Sequence, residues 1–182
     1  MRQLIAPMVL IVSLSVTTET QAMGELIGGD INFKGTVVAL GCSIVPSSKN
    51  VVVDFGDVST GTLYAEKKSA PQAFKIELQG CSSEIFKSIT VTFSGTRNSS
   101  MPDRLAITSV SPNSASGIGI GLEENSGTAI ALDTPTSATA ISNATMQLDF
   151  KAFVEGEPDA LSNKTVQTGA FRATANYILN YQ

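Results

Sequence analysis

Few residues of this chain could do chemistry. Among its 182 residues are two cysteines, Cys42 and Cys81, and no histidine. Histidine-activated nucleophiles and imidazole metal sites are therefore excluded. The carboxylates at residues 123–124 and at Asp54 and Asp57 show no matched acid and base, so we expect solvated turn charges. We predict a protein that is not an enzyme, has no catalytic residues, and needs no metal or cofactor.

The first residues are typical of a secretory signal peptide. Arg2 precedes an apolar run at residues 4–16, and the small residue Ala22 follows. This run is shorter than the roughly 20 residues that cross a bilayer, so a membrane anchor is the less favoured alternative. We predict that residues 1–22 are a signal peptide, whose cleavage position the sequence defines to within a residue or two. We also predict that the mature chain has no integral membrane segment.

Export bears on the two cysteines, because an oxidising compartment favours disulfides. Cys42 and Cys81 form the one available pair, so we predict a bond between them. Closing a loop of this length contributes about 4 kcal/mol in the chain-entropy model. A redox or metal role is the alternative, but the spacing is not C-x-x-C and no cluster of other ligands accompanies it.

Composition and patterning favour an all-β sandwich. The chain is 42% hydrophobic with 15 glycines, and its net charge of −4 comes without a basic stripe, so no nucleic-acid partner is expected. Apolar runs alternate with polar residues between turn residues, and no helical period exceeds about two turns. The predicted strands are residues 33–40, 51–55, 73–78, 89–94, 105–108, 117–122, 128–132, 146–154 and 171–181. A hairpin tip is predicted at residues 125–127 (NSG), and exposed loops at 46–50, 97–103, 109–116 and 135–143.

Residues 117–121 (GIGIG) resemble a glycine-rich phosphate loop only superficially. They lie within a predicted strand, no helix follows, and no lysine stands at the required place. We therefore predict a strand here.

Both ends of the mature chain alternate as single strands do. Near the C-terminus, one parity is mostly apolar, and the strand runs to the last residues, so no later strand follows it. Near the N-terminus, Ile27, Gly29, Ile31 and Phe33 share a parity. Two ordinary edge strands are the alternative interpretation of these patterns.

The mature chain resembles the type 1-class pilus subunits of the chaperone-usher pathway. The resemblance rests on residues 28–35 (GGDINFKG), 53–58 (VDFGDV), 74–81 (FKIELQGC), 117–122 (GIGIGL) and 148–153 (LDFKAF), with Val37 and Val38 before Cys42. In that family the C-terminal motif has a glycine fourteen residues from the end, an alternating strand and a penultimate aromatic residue. Gly169 and Tyr181 occupy those two places here.

The resemblance implies an incomplete immunoglobulin-like β-sandwich that lacks its final strand and carries an N-terminal donor-strand extension. Such a subunit is completed by a strand from a periplasmic chaperone and then by the extension of a neighbouring subunit, the same or related, with an outer-membrane usher assembling the fibre. The implied function is a structural subunit of a surface fimbria that contributes to cell adhesion. The alternative is a single-domain minor or adapter subunit that itself binds a host glycan or protein.

Domain and site assignments follow from this resemblance. The extension is residues 23–34 and the pilin domain is residues 35–182. The predicted donor-strand residues are Ile27, Gly29, Ile31 and Phe33. The predicted chaperone-binding edge of the groove is Gly169, Phe171, Ala173, Ala175, Tyr177, Leu179 and Tyr181. Gly29 is expected to lie where the partner's groove is too shallow for a side chain, and a loosened linker at the two adjacent glycines is the alternative.

Overall fold

The computed structural model describes residues 28–37, 41–110 and 112–182, and it divides the chain into compact units at residues 1–37 and 38–182. In the first unit, residues 28–37 are exposed and without assigned secondary structure. The Ile31 and Phe33 side chains are 78% and 90% exposed. The strand predicted at residues 33–40 is therefore wrong for 33–37, and residues 38–40 lie outside the described part, as do the predicted signal peptide and Ile27.

The second unit is an antiparallel β-sandwich with short helical turns. Its strands are β1 (Ser43–Ile44), β2 (Gln72–Gln79), β3 (Ser88–Gly95), β4 (Leu105–Ala106), β5 (Thr108–Ser109), β6 (Ile118–Glu124), β7 (Ala129–Ile130), β8 (Thr139–Ala140), β9 (Thr145–Gly156), β10 (Phe171–Arg172) and β11 (Ala175–Tyr181). Its helices are a 3-10 turn at Pro46–Lys49, α1 (Thr60–Glu66) and α2 (Pro158–Asn163). No described helix is long and apolar enough to cross a membrane.

The larger sheet has the order β1-β2-β9-β6-β4, with β7 also paired to β6. The second sheet has the order β11-β3-β8, and β10 pairs with β5. Apolar residues of both sheets alternate inward and meet in one core. Phe93 of β3 packs edge-on against Phe150 of β9, with ring centroids 5.1 Å apart.

The glycine-rich run forms β6, as predicted. Ile118, Ile120 and Leu122 point into the core, while Gly119 and Gly121 face the other side. A Cβ at Gly121 would overlap the Phe153 ring. Glycine at this position therefore allows the ring to pack directly against the sheet.

The hairpin tip is also as predicted. The Gly127 N–H donates to the carbonyl of Glu124, and the Glu124 N–H donates to the carbonyl of Thr128. Gly127 has φ +92°, a region that glycine adopts without steric cost.

Several predicted strands differ from the observed ones in length. The strands predicted at 105–108 and 171–181 are each interrupted, and the one at 128–132 reduces to Ala129–Ile130. The strand predicted at residues 51–55 is wrong, because these residues have no assigned strand. Alternation describes which face a residue presents, and it carries no information about whether a neighbour is present to pair with.

Some predicted exposed groups are buried. Asn98 is 5% exposed, and its amide donates to the Ile118 carbonyl and to Glu157 Oε1 while its oxygen accepts the Ser100 and Met101 N–H groups. Full use of its donors and acceptors explains how it is tolerated inside.

The expectation of solvated turn charges fails at Glu123. This carboxylate is 7% exposed and lies 3.9 Å from Lys68 Nζ. Burying a charge is unfavourable unless an opposite charge lies close by, and the Lys68 ammonium is that charge here.

Candidate functional site: a groove beside the terminal strand

Strand β11 is paired along one side. All seven of its residues pair with β3, from Ala175 opposite Gly95 to Tyr181 opposite Ile89. Within the described residues, no strand pairs with its other side. That side therefore presents the unpaired backbone groups of an edge strand.

A second segment, residues 51–58, lies opposite this edge. It has no strand assignment, yet Val51, Val53 and Phe55 are partly buried while Val52 between them is 82% exposed. The segment thus turns one apolar face inward as a strand would. We call residues 51–58 the far lip and residues 169–177 the near lip.

Between the two lips lies an open groove with a volume of about 1510 Å³. Its floor is the core itself, because side chains from both sheets line it. These floor residues include Phe74, Ile76, Phe93, Ile118, Ile120, Leu122 and Val154. Protein interiors are normally packed without large voids, so a groove of this volume is large enough to accommodate another group.

Aromatic side chains join the two sides of the groove at both ends. At one end, the rings of Phe55 and Phe171 contact with centroids 6.1 Å apart. At the other, the Tyr177 hydroxyl donates a 2.7 Å hydrogen bond to the carbonyl of Ser48, and burial raises the pKa of Tyr177. The far lip therefore runs antiparallel to the near lip, and the groove is bounded lengthwise.

Gly169, at the start of the near lip, lies against another backbone segment. A Cβ there would overlap the carbonyl oxygen of Asn113, and its φ is +149°. The next residue, Ala170, bridges to Ser114. Local sterics therefore explain the glycine at position 169, because both its backbone conformation and the close approach of the Asn113 carbonyl exclude a side chain.

The near lip contains most of the edge residues named from the sequence. Phe171, Ala173, Ala175 and Tyr177 line the groove together with Gly169. Leu179 and Tyr181 do not line it and pack against the core beyond its end. The far lip was missed as part of the site, because the alternation of Val51, Val53 and Phe55 predicts only a strand and does not indicate what lies beside it.

The predicted cysteine bond is present beyond the same end. Cys42 and Cys81 are joined and tie the chain before β1 to the end of β2. Among the described residues, no cluster of cysteine and carboxylate side chains could hold a metal ion.

The fold and the open edge define the class: an immunoglobulin-like sandwich of the pilin type. The structure is similar to that of the P pilus rod subunit PapA, with a TM-score of 0.67 and 25% identity over 79% of this chain and 100% of that one. It is also similar to a chaperone-usher pilus structure, with a TM-score of 0.66 and 26% identity over 86% and 97% of the two chains.

Residues 31–182 match the family model described as Fimbrial protein, and the chain belongs to that family. It is 40% identical over 169 residues, 93% of each chain, to PmfF of Proteus mirabilis (strain HI4320), which is named as a minor fimbrial subunit. It is 30% identical to the fimbrial adapter PapK of Escherichia coli over 87% of this chain and 91% of that one. The protein is thus a subunit of surface fimbriae.

Proposed function

We propose that this chain is a structural, non-enzymatic subunit of a bacterial fimbria that is assembled by donor-strand complementation and exchange. A periplasmic chaperone first fills the groove, and at an outer-membrane usher the extension of a neighbouring subunit replaces it. The fibre contributes to cell adhesion. The observation that carries this proposal is the groove between residues 51–58 and the near lip, with one side of β11 unpaired.

Physical chemistry supports the proposal. An apolar floor and an unpaired strand edge are an aggregation hazard in a free subunit. One added strand would pair with β11 and cover the floor, since a strand offers hydrogen-bonding groups along its sides and side chains on one face. Residues 28–34 are exposed and have no assigned strand partner, and Ile31 and Phe33 share one parity, as the side chains of such a strand would.

The test appends a copy of residues 24–34 after Gln182 through a short flexible linker. This supplies the donor at high effective concentration, so the variant should be monomeric and much more heat-resistant than the mature chain. The matched control carries Asn at Ile31 and Phe33 of the appended copy and should gain little. A mature chain that is by itself a stable monomer with one cooperative melt, unchanged by the appended strand, would show that the sandwich is already complete.

A minor or adapter position, with a host ligand of its own, is the second candidate. Similarity to PmfF and PapK favours the position within the fibre. Electron microscopy of cells lacking this gene separates the cases. Loss of all fibres indicates a major subunit, and altered fibre length or frequency indicates a minor one.

A further inference from the structure

Strand β9 extends beyond its partner on one side. β6 pairs with β9 from Gly156 to Phe150, where Glu124 ends β6, whereas β2 continues along the other side of β9 to Thr145. Within the described part of the chain, residues 145–149 therefore have no strand beside them on the β6 side. The backbone N–H and C=O groups that point to this side are free to bind another molecule.

A pocket with a volume of about 230 Å³ lies beside this free stretch of β9. Val91, Leu148 and Phe150 are buried and give it apolar surface from both sheets. The hairpin tip at residues 125–126 and the segment 136–139 contribute polar lining residues. None of the lining residues also lines the groove beside the near lip, so the pocket is a separate feature.

Hydrogen bonds hold the walls of the pocket in place. The Ser137 N–H donates a 2.6 Å bond to Glu124 Oε1 and ties the segment 136–139 to the end of β6. Lys151 Nζ donates a 2.8 Å bond to the carbonyl of Asn125 and ties the hairpin tip to β9. The pocket is therefore formed before a ligand arrives, which reduces the ordering cost of binding.

Several polar groups in the lining are available to a ligand. The Asn125 amide and the Thr139 hydroxyl make no hydrogen bond with any described residue, and Asp149 uses Oδ1 alone, as the acceptor for Gln147. Amides and hydroxyls both donate and accept, and the second Asp149 oxygen accepts. Together with the free backbone of β9, these groups suit a ligand that carries several hydroxyls.

The charge of the lining narrows the class of ligand. Glu124 and Asp149 line the pocket, and no lysine or arginine among the described residues does. Like charges brought together are unfavourable, so sialic acid and sulfated or phosphorylated sugars are disfavoured. A neutral hexose ring matches the lining, because its hydroxyls suit the polar groups and its C–H face suits Leu148 and Phe150.

We propose that this pocket binds a neutral hexose residue of a surface glycan, with Asn125, Thr139 and Asp149 as its hydrogen-bonding side chains. Because the groove has different lining residues, a strand in the groove leaves the pocket open. The inference rests on the proposed function in one respect, since a fibre subunit presents the pocket at the cell surface. It gives the second candidate above a site and a ligand class.

The experiment uses the mature subunit as recovered from the periplasm, with any bound chaperone, and measures Kd by saturation-transfer NMR. The probes are the methyl glycosides of glucose, galactose and mannose, and at least one should bind saturably. N-acetylneuraminic acid should bind about tenfold more weakly, because its carboxylate meets two others.

Variants locate the binding. Asn125→Ala and Thr139→Ala should each weaken the bound glycoside about fivefold, the effect of one lost hydrogen bond. The matched controls Asn143→Ala and Thr145→Ala change exposed residues that do not line the pocket, and they should leave Kd unchanged. All four positions are exposed, so the melting temperature should stay constant and confirm that the variants fold.

Three outcomes would overturn the inference. They are the absence of binding by every glycoside, an equal loss in pocket and control variants, and binding of N-acetylneuraminic acid as tight as that of the hexosides. The chaperone alone is measured in parallel, and a signal equal to that of the complex would overturn it too.

Immunogold electron microscopy separates this inference from the proposed function. Pocket variants that lose glycoside binding should still be found in fibres. A subunit that binds glycosides but never enters fibres would overturn the proposed function and leave the site standing.

Discussion

The Tyr181 hydroxyl donates a 2.8 Å hydrogen bond to the backbone carbonyl of Cys42, from the end of the terminal strand to the cysteine that precedes the first strand. The Tyr181 ring also lies on Phe86, with centroids 5.3 Å apart. The penultimate residue therefore joins the terminal strand to the chain that carries the disulfide.

Replacing Tyr181 by Phe keeps the ring and removes this hydrogen bond. We expect a loss of about 1 kcal/mol in the free energy of unfolding, because the Cys42 carbonyl loses a partly buried partner. Urea unfolding of the form with the appended donor strand measures it. Tyr64→Phe in α1 is the control and should change stability little, and an equal loss in both variants would contradict the assignment.

Stability should also fall at alkaline pH. Burial raises the pKa of Tyr177 and Tyr181 above the ordinary value of 10.0. The unfolded chain then loses these protons at a lower pH than the folded chain. The two tyrosine hydroxyls therefore contribute fully to the free energy of unfolding below about pH 10, and this contribution declines as the pH rises above it.

The measurement is urea unfolding between pH 9 and pH 11.5, with tyrosinate absorbance followed in parallel. The double variant Tyr177→Phe, Tyr181→Phe should lose stability less steeply with pH than the parent. Identical slopes would mean that these hydroxyls do not contribute. Lysines titrate in the same range, and the comparison removes their effect because both proteins retain them.

Replacing Cys42 and Cys81 by Ser should lower the amount of subunit recovered from the periplasm. The predicted loss of about 4 kcal/mol is a large share of a typical stability of roughly 5–15 kcal/mol. Immunoblotting of periplasmic extracts gives the yield. Thiol labelling of the native, unreduced protein is the complementary measurement, and two reactive thiols would contradict the bond.

Gly169→Ala should disrupt the start of the near lip. The added Cβ would overlap the Asn113 carbonyl, and the backbone there also has positive φ. Gly127→Ala is the matched control, since φ is +92° but no atom lies within 4 Å of the Cβ, so about 1–2 kcal/mol is expected from conformation alone. A larger loss at Gly169, measured by urea unfolding of the donor-appended form, isolates the overlap.

Local sequence patterns predicted the strands and turns that can be recognised without knowing which element lies beside them. Alternation gave strands β2, β3, β6 and β9 nearly to their ends, and the NSG turn gave the hairpin tip. The two cysteines gave the disulfide once export was inferred, and the terminal alternation gave strand β11.

The far lip could not be found in this way. Val51, Val53 and Phe55 alternate like a paired strand, and whether a strand lies beside them depends on residues more than a hundred positions away. The Tyr177 to Ser48 hydrogen bond spans 129 positions, and no local signal announces it. Asn98 was misplaced for a related reason, because its burial depends on the distant carbonyl of Ile118 and on Glu157.

The junction at Cys42 has a mechanical meaning in a fibre assembled as proposed. A pull on the extension enters the domain at residue 42, where a covalent bond leads to β2 and the Tyr181 hydroxyl leads to β11. The load is then divided between the two sheets, and β11 is the strand that would pair with the next extension.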